Sequence, residues 1–436
     1  MLLWYALTAL SLLLASTGAQ AIPAFARQTG SACADCHAGA YGPALTPYGM
    51  RFKLNGFTDT DGNGVKIPVS GQLTETHSAP ARGNSTTALS EADLYLAGRL
   101  TEQVGGFVKV EADYAGHNNT YNTRLSALDL RYVAKELKLN EKEFLLGVSV
   151  NNSPSQSDPI AALPAATHLG PTGVTGTLLN PGSPNSLANH VIGASVYGLY
   201  DKNWYGEIGS FRSLPTSLQD RLGYTIGSDP GRLSDTAYLR LAYMKDMKRQ
   251  FFSAGVVGLT TKRQLPRNSP SDDITDLGYD LTYQYLGNRE HIVQLAYVNI
   301  LERRRYGSVF ASPTVPGQTS LQRGAVHDQT LSATYTFKQS YGLTVAHLVS
   351  TGSRDAVRFT PYGNPDTTAN LITLFWTPFG RDGSFTSLAN LKLAASWFRF
   401  TKFNGVSDNI FNAPPGLPVT NARDLNSFSV SASLAF

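Results

Sequence analysis

GYDLTYQYL, residues 278–286, alternates without a break. Tyr279, Leu281, Tyr283 and Tyr285 fall on one set of positions, and Asp280, Thr282 and Gln284 fall on the other. Side chains of a strand point alternately to its two faces, so a period of two over this length reads as strand and not helix. Three further stretches follow the same rule. In residues 330–337, Leu331, Ala333, Tyr335 and Phe337 oppose Thr330, Ser332, Thr334 and Thr336. In residues 107–114, Val108, Val110, Ala112 and Tyr114 oppose Lys109, Glu111 and Asp113. In residues 237–243, Ala237, Leu239, Leu241 and Tyr243 share a face opposite Arg240.

Composition decides what kind of sheet these strands build. Hydrophobic residues make up 42% of the 436 and charged residues only 16%, with 21 Tyr, 20 Phe and 40 Gly. A soluble domain carries about 25% charge. Apart from residues 2–21, no window approaches the ~18 consecutive apolar residues of a transmembrane helix. Abundant apolar surface that never forms a continuous run fits a transmembrane β-barrel, whose lipid-facing and lumen-facing residues alternate. The competing reading, a secreted soluble β-sandwich or barrel, needs a buried core on the apolar face.

Sixteen strands are expected, near 66–77, 91–101, 106–116, 124–136, 142–151, 189–201, 203–213, 234–245, 250–262, 276–287, 290–303, 327–338, 341–352, 368–379, 387–402 and 424–436. The connections sort by parity. The odd ones include the long stretches 152–188, 214–233, 304–326, 353–367 and 403–423, and the even ones are mostly short. Bacterial outer-membrane barrels have an even strand number, short periplasmic turns and long extracellular loops. The expected fold is therefore an all-β, 16-stranded antiparallel transmembrane β-barrel in the bacterial outer membrane, with both termini periplasmic. The last residues, SFSVSASLAF, place Phe428, Val430, Ala432, Leu434 and Phe436 on one face. An aromatic final residue on such a strand is the mark read by the outer-membrane assembly machinery.

The apolar run at residues 2–21 ends in Ala19-Gln20-Ala21, the small-residue pattern of a signal-peptide cleavage site. It lacks Lys or Arg ahead of the run. A membrane-anchoring helix is the alternative, disfavoured by the short length. The chain then divides into a signal peptide at 1–21, a small segment at 22–64 and the barrel at 65–436. The net charge of +4 is modest, and no basic cluster interleaved with aromatics points to nucleic acid. Arg303-Arg304-Arg305 reads as a loop-end or lumen feature.

The small segment holds the only two cysteines, Cys33 and Cys36, followed by His37. C-x-x-C-H is the pattern of c-type haem attachment, in which both thiols bond the haem and the histidine is the proximal iron ligand. Some forty residues rarely bury enough surface to fold alone. A sixteen-stranded barrel leaves a lumen, so the segment is expected to fold around one covalent haem c inside it, or else to dock at the periplasmic mouth. A thiol redox pair is disfavoured by His37 and by the lack of a βαβ pattern.

AIPAFARQTGSACADCHAGAYGPALTPYGMRFKLNGFT, residues 21–58, resembles the N-terminus of the fused outer-membrane cytochrome–porins of Fe(II)-oxidising bacteria. The resemblance is carried by Pro23, Phe25, Ala26, Arg27, Gln28, Thr29 and Gly30 before the haem motif. After it come Leu45, Thr46, Pro47, Gly49, Phe52, Lys53, Gly56 and Phe57. GVSVNNSPSQSD, residues 147–158, also resembles the family's passage from its fifth strand into a loop. The remaining barrel is matched in pattern and length. The resemblance implies a barrel with one haem c and oxidation of extracellular Fe(II). Electrons would pass singly to a periplasmic c-type cytochrome or similar carrier. A conduit for another extracellular donor or acceptor, or a porin with a haem-bearing plug, would look alike in sequence.

The family carries Arg directly after the glycine matched by Gly49, whereas here Met50 stands there, with Arg51 next. Met50 is thus a candidate distal ligand to the haem iron, since a thioether raises the potential relative to a second imidazole. The alternatives are that Met50 only packs and that His77 ligates. Arg27 and Lys53 are candidate partners for haem propionates, against the alternative of pairing with lumen carboxylates such as Glu111 or Asp113. His117, His168, His190, His291, His327 and His347 read as lumen, loop or strand-end residues. Asp59-Thr-Asp61-Gly-Asn63-Gly64 matches the first half of an EF-hand loop, but its twelfth position is Ser70 and not Glu. A tight turn from the haem segment into the first strand is the better reading.

Overall fold

The computed structural model describes residues 23–42, 44–64, 66–114, 120–159, 176–180, 187, 190–224, 229–309, 319–381 and 388–436. The expected signal peptide lies outside the described residues, as do His117 and His168.

Sixteen strands form one closed sheet: β1 (Val69–Pro80), β2 (Thr86–Arg99), β3 (Val104–Tyr114), β4 (Tyr121–Leu139), β5 (Lys142–Asn151), β6 (Val191–Tyr200), β7 (Trp204–Ser213), β8 (Arg232–Asp246), β9 (Gln250–Gln264), β10 (Asp272–Tyr285), β11 (His291–Arg305), β12 (Arg323–Phe337), β13 (Tyr341–Gly352), β14 (Thr367–Trp376), β15 (Asn390–Lys402) and β16 (Ser427–Ala435). Each pairs antiparallel with its sequence neighbour. β1 closes on β16 in a register running from Gln72↔Ala435 to Pro80↔Ser427.

The alternation in the opening stretch settles which face is which. Tyr279 and Leu281 are 46% and 44% exposed, while Asp280 and Gln284 are each 1% exposed. Polar side chains face in and apolar ones face out, the reverse of a soluble barrel and the arrangement that lipid demands. Outward aromatics near the short turns, such as Tyr341 stacked on Trp376 and Trp204 tilted against Tyr243, form part of an interfacial girdle.

The five longest connections are all odd, and the even ones are short with one informative exception. The even turns 100–103, 140–141, 201–203, 247–249 and 338–340 are short, and the odd loops 152–190, 214–231, 306–322, 353–366 and 403–426 are long. Asn140-Glu141 has positive φ at both residues (51° and 65°), the backbone that a two-residue turn needs to follow strand twist. The exception is the even connection 377–389. It reaches under the N-terminal segment: Ala34 N donates to Gly380 O (3.1 Å), and a Cβ on Gly380 would lie 2.5 Å from Ala40 O.

Strand boundaries moved where hydroxyl residues obscured the period. β1 begins at Val69 and not 66, and β2 begins at Thr86, five residues before the expected 91. Residues 86–90, TTALS, carry hydroxyls on both faces, and a bulge at Thr74/Glu75 shifts the local register.

Two segments fill part of the lumen. Residues 23–64 form α1 (Pro23–Thr29), α2 (Cys33–Cys36) and α3 (Pro47–Leu54) at the short-turn end. They are held by inward residues around the wall. Tyr197 OH donates to Leu54 O (2.8 Å), Gln284 Nε2 to Leu45 O (2.7 Å) and Asn390 Nδ2 to Ala40 O (2.9 Å). The segment therefore sits among the strands and not beneath them. From the other end, the described residues 152–159, 176–180 and 187 of the 152–190 connection reach inward, beginning with α4 (Pro154–Ser157). The amides of Thr177, Leu178 and Leu179 donate to Asp328, Glu302 and Asp276 on three adjacent strands (2.8, 3.0 and 2.9 Å). Leu178, Leu179 and Leu187 bury against inward Phe211, Ile274 and Ile300. The opposite wall stays half-exposed and is lined by hydroxyl pairs, including Thr334–Thr344 (2.9 Å), Thr373–Ser396 (2.9 Å) and Thr74–Ser433 (3.0 Å).

Candidate functional site

α2 is a single turn built by local chemistry. Asp35 accepts from Ala32 N (2.8 Å) at its start, and His37 N donates back to Cys33 O (2.8 Å) at its end. The chain returns through Thr46, whose N donates to Cys36 O (2.9 Å) and whose hydroxyl accepts from Gly49 N (3.3 Å). Thr46 is thus the N-cap of α3 with Pro47 at its first position, both standard start signals. Gly49 permits the contact between the two helices: a Cβ there would lie 2.3 Å from Cys36 O.

α3 then divides its faces. Gly49, Phe52 and Lys53, spaced i, i+3, i+4, line a cleft with Cys33, Cys36 and His37. The cleft encloses about 170 Å³ and opens to solvent at its mouth, smaller than the ~300 Å³ at which most cofactor sites begin. Its apolar wall is an aromatic cluster. Phe25 stacks on Phe57 (5.1 Å between ring centroids), meets Phe52 edge-on (5.1 Å) and approaches Phe107 of β3 (6.3 Å).

These residues fit a haem c. Among the described residues neither cysteine is in a disulfide, Cys33 is 3% exposed, and Asn390 Nδ2 lies 3.5 Å from its sulfur. His37 Nδ1 is buried without a hydrogen-bond partner, with its ring edge against Gly42. Burial pushes the His37 imidazole down to about 4; the Ala44 carbonyl partly offsets this and Lys392 adds to it. The ring is therefore neutral at physiological pH, the form that ligates a metal. Burial, then Asp35 and Asp59, push the Cys36 thiol up to about 12. A thiol–disulfide pair needs a thiolate, so this environment disfavours that reading.

Several expectations need correction. Met50 is 2% exposed on the opposite face of α3, packed with Leu54, Val133, Tyr197, Leu199 and Met244. It does not line the cleft, because one helical residue beyond Gly49 turns it to the barrel wall. Met50→Ala is accordingly expected to cost about 2–5 kcal/mol in unfolding free energy and to leave the haem spectrum unchanged. A changed spectrum without destabilisation would contradict this placement. His77 faces outward on β1, bonded to Thr87 Oγ1 (2.8 Å), and takes no part in the cleft. Arg27 also lies off the cleft, because its guanidinium is engaged with the Val69 and Ile67 carbonyls at the start of β1. Lys53 does line the cleft and donates to Asp158 O (2.8 Å). The 59–64 stretch is a turn, in which Asp61 Oδ1 accepts from Asn63 N (2.9 Å) and Asp61 pairs with Lys66 (3.1 Å). Among the described residues no group of three or more His, Cys, Asp or Glu side chains gathers in metal-binding geometry.

The structure adds partners that sequence reading did not single out. Gln28 Nε2 donates to Phe57 O and Asp59 O (2.7 Å each), and its Oε1 accepts from Arg99 N (2.8 Å), tying α1 to the end of α3 and to β2. Beside the cleft, Arg131 forks onto Asp129 (3.0 Å) and lies over the rings of Tyr197 (5.0 Å) and Phe57 (5.8 Å). An inward Arg two positions from an inward Asp on a strand was the available signal.

No protein-family model matches the chain, and no curated protein matches it. Among solved structures, it is similar to OmpT, an outer membrane protein of Vibrio cholerae (13% identity over 85% of this chain and 97% of that one, TM-score 0.45). It is also similar to Salmonella typhi OmpF (13%, 86% and 98%, TM-score 0.44) and to the outer membrane channel DcaP of Acinetobacter baumannii (10%, 86% and 99%, TM-score 0.46). The closed sixteen-strand order seen directly in this chain defines it as a barrel of the porin type.

Proposed function

We propose that this chain is an outer-membrane cytochrome–porin that oxidises extracellular Fe(II) and delivers single electrons to a periplasmic c-type cytochrome or similar carrier. One observation carries the reading: a C-x-x-C-H motif lies inside the lumen of a closed membrane barrel, at its short-turn end. Each Fe(II) loses one electron and leaves as Fe(III), and the carrier gains that electron, so no acid, base or nucleophile is required. A haem c bound in the cleft supplies the one-electron couple.

The protein's residues hold and insulate that centre. Cys33 and Cys36 would hold it covalently, and neutral His37 would supply a nitrogen to its iron. Lys53, which lines the cleft, would give a propionate a charge-assisted bond. Phe25, Phe52, Phe57 and Phe107 exclude water from one side of the cleft, and low polarity there favours the less charged reduced state. The barrel wall carries this assembly through the lipid, and the short-turn mouth, periplasmic on this reading, presents it to a carrier.

The reading is tested by adding Fe(II) anaerobically to the purified oxidised protein and following the haem bands. Full reduction within the mixing experiment is expected. Reduction by dithionite but not by Fe(II) would instead favour a conduit for another donor, or a porin whose haem segment is a plug.

A further inference from the structure

At the long-loop end of the lumen, one buried cation forms no ion pair among the described residues. Arg263 of β9 is 2% exposed, and its side-chain Nε and Nη1 are buried without a hydrogen-bond partner among those residues. A buried charge is normally paired. The nearest carboxylates are already engaged. Asp272, directly across on β10, accepts from Gly307 N (2.9 Å). Glu302 of β11 accepts from Arg304 through Oε1 and from Leu178 N through Oε2 (3.0 Å).

Two more guanidiniums stand nearby: on the inner face, Arg304 of β11 pairs with Ile274, two residues along β10 from Arg263's partner Asp272, and Arg358 comes from a loop. Arg304 is 5% exposed, and its Nε is also buried without a partner. Arg358 comes from the 353–366 loop, where Asp355 fixes the turn by accepting from Val357 N (3.0 Å), Arg358 N (3.2 Å) and Ser320 Oγ (2.8 Å). Arg304 and Arg358 both lie over the Tyr306 ring, at 5.8 and 5.4 Å, and Arg358 also donates to its hydroxyl. The three arginines thus gather with Asp272, Glu302 and Asp276, which faces Glu302 across the strand pair, and all three carboxylates also accept from backbone amides. Arg303 and Arg305, the other members of the arginine triplet, face outward.

We propose that Arg263, Arg304 and Arg358 form a binding site for a small oxyanion of the phosphate class. The guanidinium fork presents paired N–H donors that match two oxygens of such an anion. Arg263 points inward from its strand, so the ligand is a free anion reached from the lumen and not a lipid headgroup on the outer rim. The site is independent of the haem cleft at the opposite end.

The test is equilibrium binding of radiolabelled inorganic phosphate to the folded, haem-loaded, full-length protein at constant ionic strength in chloride. Saturable binding of about one phosphate per chain is expected. Arg263→Gln should weaken it at least tenfold, Arg358→Gln, a loop change that spares the barrel, should also weaken it, and outward Arg303→Gln should leave it unchanged. Absence of saturable binding would overturn the proposal, as would equal binding by wild type and both weakened variants. Displacement of bound label by lipopolysaccharide but not by unlabelled phosphate would overturn the free-anion assignment.

Discussion

Replacing Cys33 and Cys36 together by serine is expected to yield a haem-free barrel that still assembles. The two sulfurs are the chain's only cysteine thiols, so covalent haem attachment should fall to zero on a denaturing gel stained for haem. The barrel does not depend on them. All sixteen strand pairings, including the β1–β16 closure, form without any residue of α2. Cys33 does pack with Ala34 and Ala40, so the turn around it should loosen. The barrel should nevertheless keep the slow, heat-dependent gel shift of a folded outer-membrane protein. Haem staining that survives the double substitution would refute the assigned attachment. Loss of the folded barrel would show that the lumen segment, and not the strand ladder alone, specifies assembly.

The second large effect concerns Arg240. Its guanidinium is fully enclosed between Asp280 of β10, in direct contact, and Asp158 at the end of α4 (3.4 Å). It thereby clasps the inward-folded 152–190 connection to the wall. Gly255 of β9 is part of the arrangement, because a Cβ there would lie 2.4 Å from Arg240 Nη1. Arg240→Ala removes the cation and leaves two buried carboxylates facing each other. Breaking a buried pair from one side costs about 3–5 kcal/mol, which should appear as a lower denaturant midpoint for the detergent-solubilised protein. Arg240→Met combined with Asp280→Leu should cost less than Arg240→Ala alone, because only Asp158, and not both carboxylates, then loses the guanidinium. Equal or greater loss in the double variant would mean that the ion pair itself, and not the avoidance of an orphaned charge, holds the connection.

Strand number, topology and the direction of each side chain were legible because a barrel in lipid enforces the period of two on both faces. Tyr279 and Asp280 cannot exchange places without putting a carboxylate into hydrocarbon. Boundaries were less legible where Ser and Thr suit either face, as in Thr86–Ser90. The C-x-x-C-H spacing of Cys33, Cys36 and His37 was legible as a pattern, and the haem c that it implies belongs to the proposed function. The surroundings of the motif were not. Whether Met50 or Lys53 meets the cleft depends on the rotation of α3, which is set by the close approach of Gly49 to Cys36, a tertiary contact. Likewise, Arg27 was read as a ligand partner because a lone cation near a cofactor motif invites it, but the backbone carbonyls at the start of β1 take it first. The inward fold of the 152–190 connection rests on carboxylates of three strands more than ninety residues away in sequence. No local pattern announces that contact.

The central claim is that electrons from iron on one side of the membrane reach a carrier on the other through this barrel. It is tested most directly with the holoprotein inserted in sealed lipid vesicles that enclose oxidised cytochrome c and a colorimetric Fe(II) chelator. Fe(II) is added outside, on the long-loop side. Reduction of the enclosed cytochrome without colouring of the chelator, and its absence with the Cys33→Ser/Cys36→Ser protein, is the expected result. Equal reduction with the haem-free variant, or reduction only when iron enters the vesicle, would contradict the account.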